Sequence, residues 1–224
     1  MAEQEQTLAE RFRVLDSRRQ YRVDVARRCA SLTIPSVLPP RDWTENQILP
    51  QPYSSIASRG VTAMASRMLS ALMPLNDSPF FKFSLKNGAE PTPEIKSYLE
   101  TLSYQVYNKI INNNLREMVF QSLQHLIIVG DVLVMMDDDF NFRNLRIDHY
   151  VVQRNVSGQL IELIHLEHYP VDPEDLSNTL TSSIINKPGY KTIYCQYMLD
   201  EDGKTWKARK EDEDGNLFME GQYT

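Results

Sequence analysis

An α+β fold is predicted for this chain, with long N-terminal helices packed against an antiparallel or mixed β region. Three observations lead there. Residues 7–31, 54–73 and the stretch opening at Pro93 carry apolar side chains at helical spacing. Beyond Phe140 the apolar period changes to two, with turn glycines at Gly158 and Gly203. Residues 115–140 hold both periods, joined at Gly130. On this ground the chain divides into a mainly helical portion, 1–140, with one core strand, and a hairpin-rich portion, 141–224.

Composition limits the function classes. With 224 residues, 42% of them hydrophobic and 9% aromatic, there is enough apolar surface for a real core, which excludes a disordered chain. No run of 18 apolar residues occurs and the N-terminus MAEQEQTLAERF is charged, so neither a membrane span nor a signal peptide is expected. Cys29 and Cys195 lie far apart and outside any CxxC pattern, which suits two unpaired thiols in a reducing cytoplasm. The net charge of −6 hides an asymmetry: residues 1–75 hold ten arginines, no lysine and seven acids, a net of +3, leaving −9 for the rest. The two ends therefore face different partners or different neighbours.

The first helix is predicted as one rod over residues 7–31. Thr7 and Glu10 form its capping box. Leu8, Phe12 and Leu15 make one apolar stripe, and Tyr21, Val25, Cys29 and Leu32 a second, so two contact partners are expected along the rod. Between them stand Arg11, Arg13, Arg18, Arg19, Arg22, Arg27 and Arg28, against only Asp16 and Asp24. Such a surface touches phosphate or acidic protein through planar, bidentate contacts, or it is a solvated face with local ion pairs. Ile34-Pro35 ends the helix, and five prolines from Pro35 to Pro52 hold an extended connection in which Trp43 and Tyr53 are the expected anchors.

A second helix over 54–73 buries Val61, Met64, Ala65, Met68 and Leu72, with small residues allowing close helix approach, and Pro74 stops it. Phe80-Phe81-Lys82-Phe83-Ser84-Leu85 reads as a strand closed by Asn87-Gly88. Pro93-Glu94 opens a third helix carrying Ile95, Leu99, Leu102, Val106 and Ile110. The organising helix follows: Asn114 is its expected N-cap with Glu117 reciprocating, Val119, Leu123, Leu126 and Ile127 its buried face, and Gly130 its C-cap. It feeds a buried strand, Asp131-Val132-Leu133-Val134-Met135-Met136, stopped by Asp137-Asp138-Asp139. Val61, Met68, Leu72, Leu123, Leu126 and Gly130 are taken as the structural core.

The β portion contains two hairpins. Leu145-Arg146-Ile147 is placed to pair with the core strand, and residues 150–154 and 159–167 flank the turn Asn155-Val156-Ser157-Gly158. Residues 191–198 and 205–209 flank Asp200-Glu201-Asp202-Gly203, and 172–187 read as a loop or short helix. Gly221-Gln222-Tyr223-Thr224 carries no closing helix or cap, so the pattern reads as cut mid-element.

The residues offer no catalytic chemistry. Adjacent aspartates 137–139 alternate faces, so with Asp148, His149 or His165 they favour a turn over a two-metal centre. His165 and His168, three apart on a strand, point to opposite faces and do not share zinc. No phosphate-cradling glycine loop, G-x-S-x-G or Cys/His nucleophile setting appears. No catalytic residue, metal ligand or cofactor is assigned.

Several phrases nevertheless recur in a known order: Thr33-Ile34-Pro35-Ser36, the helix from Ile56-Ala57-Ser58-Arg59-Gly60 through Ala65-Ser66-Arg67-Met68 to Ala71-Leu72-Met73-Pro74, the glycine junction over 126–133, and Tyr150-Val151-Val152-Gln153-Arg154. Together, across roughly residues 9–198, they resemble the N-terminal part of portal proteins, the head-to-tail connectors of short-tailed podoviruses of the autographivirus type. The resemblance implies a structural subunit of a dodecameric ring at one capsid vertex, assembled in the host bacterial cytoplasm. Double-stranded DNA would pass its channel during terminase-driven packaging and ejection. It further implies contacts with the major capsid protein, a tail adaptor and internal core proteins, no cofactor and no membrane. The matched part corresponds to the α+β outer wing, with stem, clip and apical regions further along longer chains. Arg18, Arg19, Arg22, Arg27, Arg28 and Trp43 are the candidates for subunit or capsid contact. A nucleic-acid-binding module using the arginine-rich helix is the alternative, and overall acidity argues against it.

Overall fold

The computed structural model describes residues 6–44, 46–74, 79–86, 90–112, 114–137, 140–170, 190–200 and 202–223. Among these residues are five α-helices, α1 (Leu8–Ser17), α2 (Gln20–Leu32), α3 (Ile56–Leu72), α4 (Pro93–Asn112) and α5 (Leu115–Val129). Strands β1 (Leu133–Met136) and β2 (Phe142–Leu145) form a two-stranded ribbon. Strands β3 (Tyr150–Arg154), β4 (Leu160–Pro170), β5 (Tyr190–Leu199), β6 (Trp206–Asp212) and β7 (Leu217–Tyr223) form an antiparallel sheet in chain order. The fold is α+β as predicted.

The single N-terminal rod is two helices. Thr7 caps α1 as expected, its hydroxyl accepting from the Glu10 amide at 3.3 Å. At Arg19 the backbone leaves helical geometry, while the Asp16 carboxylate accepts from Arg19 Nε at 3.0 Å and from Gln20 Nε2. The break has a physical reason. Leu8, Phe12 and Leu15 bury against Val151, Ile164 and Tyr194 of the sheet, whereas Val23, Ala26 and Ala30 bury against Leu145, Ile147, Ile128 and Tyr150. Two cores in different directions cannot be served by one straight helix. The expected second stripe, Tyr21, Val25, Cys29 and Leu32, is consequently on the outside.

Helical faces elsewhere are rotated from expectation. α3 buries Val61, Ala65, Leu69 and Met73, a spacing of four, and leaves Leu72 57% exposed and Met68 half-buried. Its close contact with α5 is set by the one small residue in that line, Ala65, so the bulkier Met64 and Leu72 turn outward. α5 buries Met118, Ser122, Leu123 and Ile128, and Leu126, taken as core, is 43% exposed. Ser122 explains the rotation: it donates to Asn144 Oδ1 at 2.7 Å, while Asn144 donates back to the Met118 carbonyl at 3.2 Å, tying α5 to β2 along its polar seam.

Residues 80–85 are extended without a strand partner among the described residues. Their alternation serves edge-to-face packing instead, Phe80 on Phe81 at 5.2 Å, Phe81 on Phe83 at 5.6 Å, and Phe80 on Tyr107 of α4 at 6.0 Å. The Asn87-Gly88 turn lies outside the described residues, as do Asp138, Asp139 and residues 172–187. α4 begins at Pro93 as expected but is peripheral, with Ile95 exposed and Leu99, Leu102, Val106 and Ile110 half-buried. The proline-rich connection enters the core through Val37 and Leu38, while Tyr53 is fully exposed and Trp43 half-buried. Aliphatic residues are the anchors there because Pro35 and Pro39, themselves buried, turn that side of the segment inward.

Asn114 does not form a capping box. It adopts left-handed geometry, φ 57°, and its carbonyl, not its side chain, accepts from the Met118 amide at 3.1 Å. Gly130 is the left-handed C-cap, φ 83°, donating its N–H to the Leu126 carbonyl at 3.0 Å. A Cβ added there meets nothing within 4 Å, so the cost of Gly130→Ala is purely conformational. About 1–2 kcal/mol is expected, read as a shift in urea midpoint without a change in slope.

The strand after Gly130 is shorter and less buried than expected. β1 alternates half-buried and exposed residues, because its one partner is β2 in register Leu133↔Leu145. Both expected hairpins form, β3–β4 and β5–β6. β7 is an addition that Asp214-Gly215 followed by Leu217-Phe218-Met219 could have signalled.

Candidate assembly interface

Four carboxylates on the β portion, Glu162, Glu167 and Glu211 buried and Asp148 half-buried, hold the helices and the ribbon in place. Glu162 on β4, its side chain only 5% exposed, receives Arg11 of α1 through Nε and Nη2, the latter at 2.7 Å. Gln196 donates to the same carboxylate at 2.6 Å, and Arg11 also donates to Gln153 Oε1 at 2.7 Å. Burial alone would penalise both charges; the bidentate geometry and neighbouring amides offset that penalty. Glu211 on β6, itself bridged by Arg209, accepts the first free amide of α1, Leu8 N–H, at 2.9 Å. A carboxylate at a helix N-terminus satisfies an orphan donor and complements the helix dipole.

Asp148, in the 3-10 turn Ile147–His149, is met by Arg27 of α2 at 3.1 Å and Arg146 at 2.8 Å. Burial opposes its ionisation, yet the hydrogen bonds and charge of Arg146, with His149 and Arg27, outweigh it and hold the carboxyl at about 2. Its neighbour His149 is buried and packs edge-to-face on His168 at 5.8 Å. Burial, assisted by Arg146 and His168 and opposed by Asp148, pushes His149 down to about 4.

This predicts a definite pH response. The unfolded chain binds a proton at His149 below about 6.5 and the folded chain only near 4, so stability is complete above 6.5 and falls between those values. The loss is on the order of 3 kcal/mol, and Asp148 adds a further loss below 3.8 as its folded value near 2 is passed. Urea midpoints measured from pH 7 to 4 check it, and His149→Phe should flatten the upper part of the curve.

The fourth carboxylate, Glu167 on β4, meets Arg143 of β2 at 3.1 Å, Lys210 of β6 at 3.0 Å and His165 Nε2 at 3.2 Å. Cys195, paired with His165 across β4–β5, brings its sulfur into the same group, in which the potential ligand atoms lie within 4.8 Å. This grouping was invisible without strand register. Its chemistry does not favour a metal: two cations already neutralise Glu167, and burial pushes the Cys195 thiol up, away from thiolate. His165 stacks on Tyr197, interplanar angle 7°, which fills its place in the sheet.

Among the described residues, α2 and β7 are two of the elements that expose apolar side chains outside these networks. On α2, Tyr21, Val25 and Leu32 form an apolar line between exposed Arg22 and Arg28. On β7, Leu217, Phe218, Met219 and Tyr223 are all exposed, near exposed Glu213, Asp214 and Glu220.

Comparison with known proteins gives this arrangement its context. Residues 5–193 match the family described as bacteriophage head to tail connecting protein. The chain belongs to that family. It is similar to the portal protein of Enterobacteria phage T3, 26% identical over 216 residues, covering 90% of this chain and 40% of the relative. The portal protein of Escherichia phage T7 is 26% identical over 192 residues, covering 79% of this chain and 36% of the relative. That of Enterobacteria phage SP6 is 19% identical over 209 residues, covering 90% and 36%. The chain thus spans well under half the length of the curated relatives it matches.

Within this connector-family chain the arginines expected at an interface separate into two groups. Arg19 and Arg27 face inward, Arg19 to Asp16 and over the Tyr150 ring at 5.7 Å, Arg27 to Asp148. Their guanidinium groups are committed to the subunit's own fold by half-buried carboxylates, which gain from a charged partner. Arg18, Arg22 and Arg28 are exposed. Trp43 donates its indole N–H to the Gln47 carbonyl at 2.9 Å within its own loop. Among the described residues no helix is long and apolar enough to cross a membrane.

Proposed function

We propose that the chain is the outer-wing part of a portal protein, a structural subunit with no catalytic role. Copies close into a ring, twelve by the family's pattern, at one vertex of the phage capsid. Double-stranded DNA passes through the ring during terminase-driven packaging and during ejection. The major capsid protein surrounds it, and a tail adaptor and internal core proteins bind along its axis. The observation that carries this reading is the family match over residues 5–193 with portal relatives along most of the chain. The physical character agrees: Glu162, Asp148 and Glu167 are each clamped by cations from other elements, which makes a rigid body suited to repeated docking.

The alternative, a nucleic-acid module on the N-terminal arginines, is weakened by the same geometry. Arg11, Arg19 and Arg27 are bound to carboxylates, which leaves no continuous phosphate track along the two helices. Electron microscopy of the protein from its full reading frame tests the proposal. Rings with a central channel are expected. A monodisperse monomer at micromolar concentration would sink the portal reading and favour a DNA-binding assay.

A further inference from the structure

We propose that the hollow between α5 and β2 is an anion-binding site that takes a single phosphate-type oxyanion. The cavity, about 370 Å³, is walled by Glu117, Gln121 and His125 along one face of α5 and by Arg143 and Arg146 on and just after β2, with Ser36 of the proline-rich connection completing the lining. Side chains able to donate hydrogen bonds thus come from three separate parts of the chain to one concave space.

The first support is charge. Arg143 reaches Glu167 at 3.1 Å and Arg146 reaches Asp148 at 2.8 Å, but neither arginine has its carboxylate to itself. Glu167 is shared with Lys210 and Asp148 with Arg27, and neither carboxylate lines the cavity. The one acid on the lining is Glu117, which is exposed. A positive hollow in a chain of net charge −6 concentrates anions where the rest of the surface repels them. His125 reports the sign of the local field. Burial, and then the charge of Arg146 over a smaller opposing effect of Asp148, hold its pKa below the ordinary value.

The second support is geometry. Arg146 commits Nε and Nη2 to Asp148, and Arg143 commits Nη2 to Glu167, which fixes both guanidinium groups. Arg146 Nη1 and Arg143 Nε and Nη1 take no part in those bonds and are left as donors. A guanidinium already ordered on one edge loses little freedom when another edge binds an oxyanion. The walls are also held at a set spacing, because Asn144 of β2 donates to the Met118 carbonyl of α5 at 3.2 Å and both residues line the cavity. Donors arriving from several directions suit a tetrahedral ion better than a planar carboxylate. Its source is either the free ion or the phosphodiester backbone of a nucleic acid, which share this chemistry.

The inference is independent of ring formation, and its test uses the protein from its full reading frame. The dissociation constant for inorganic phosphate is read from thermal midpoints at constant ionic strength, with sodium chloride as the reference. Glu117→Gln should tighten binding and Gln121→Glu weaken it, each by about tenfold, since each changes one full charge on the lining. Both positions are exposed, so circular dichroism should be unchanged. No rise in midpoint with phosphate, or a rise equal in all three proteins, would overturn the site, because a uniform rise is the general effect of an excluded salt. Opposite shifts in the two variants are beyond a merely structural role, since loss of folding cannot tighten binding. A fluorescent DNA duplex then identifies the source. Duplex binding weakened by Gln121→Glu in step with phosphate assigns the phosphodiester; duplex binding indifferent to the variant assigns the free ion.

Discussion

Arg11→Met is expected to cost about 3 kcal/mol of folding stability, comparable to truncation of a core side chain. Among the described residues the guanidinium of Arg11 is the one cation on Glu162, whose side chain is 5% exposed in the sheet beneath α1. Truncation leaves that charge buried with only Gln196 to satisfy it, so the site must either take up a proton or admit water. The double variant Arg11→Met, Glu162→Gln should recover a large share of the loss, since a neutral amide tolerates the same place far better. Urea denaturation of both variants reads this directly. A loss below about 1 kcal/mol for Arg11→Met would show that the pair is an ordinary surface contact.

Leu123→Ala should cost about 2–5 kcal/mol while Leu126→Ala costs less than about 1. The two leucines sit one turn apart on α5 and were indistinguishable by period. Leu123 is 6% exposed and packs with Ala65, Leu69 and Met73, where deletion opens a cavity between α3 and α5. Leu126 is 43% exposed, so the surface simply relaxes around a smaller side chain. Thermal midpoints of the two variants should separate by about 2–4 °C for each kcal/mol of difference in a body of this size. Equal losses would show that the outer face of α5 is covered in the folded protein.

Different features of this chain were legible to different degrees. The Thr7 cap, the Pro93 start and the Gly130 cap were readable because each acts within one helical turn of its own backbone. The hairpins were readable because turn glycines and a period of two coincide. Residues 80–85 misled because aromatic alternation satisfies a strand and an edge-to-face stack on α4 equally well. The long first helix misled because Arg18 and Arg19 are good helix formers, and nothing local announces that two cores require a change of direction. For the candidate surfaces, the excess of arginine was visible, but not that Arg11, Arg19 and Arg27 belong to the interior network. The Tyr21, Val25, Leu32 stripe is visible too, as a second contact face, but not that it lies on the outside of the fold.

Sequence by itself thus determined the succession of helices and hairpins, the points where the chain turns, and the family pattern carried by their order. Those properties depend on interactions among residues a few positions apart. Only the tertiary structure decided which face of α2, α3 and α5 is buried, which arginine meets which carboxylate, and that Cys195, His165 and Glu167 come together. Each of those outcomes is set by a partner supplied from another element, Glu162 for Arg11 or Ala65 for Leu123, and periodicity carries no information about where that partner lies.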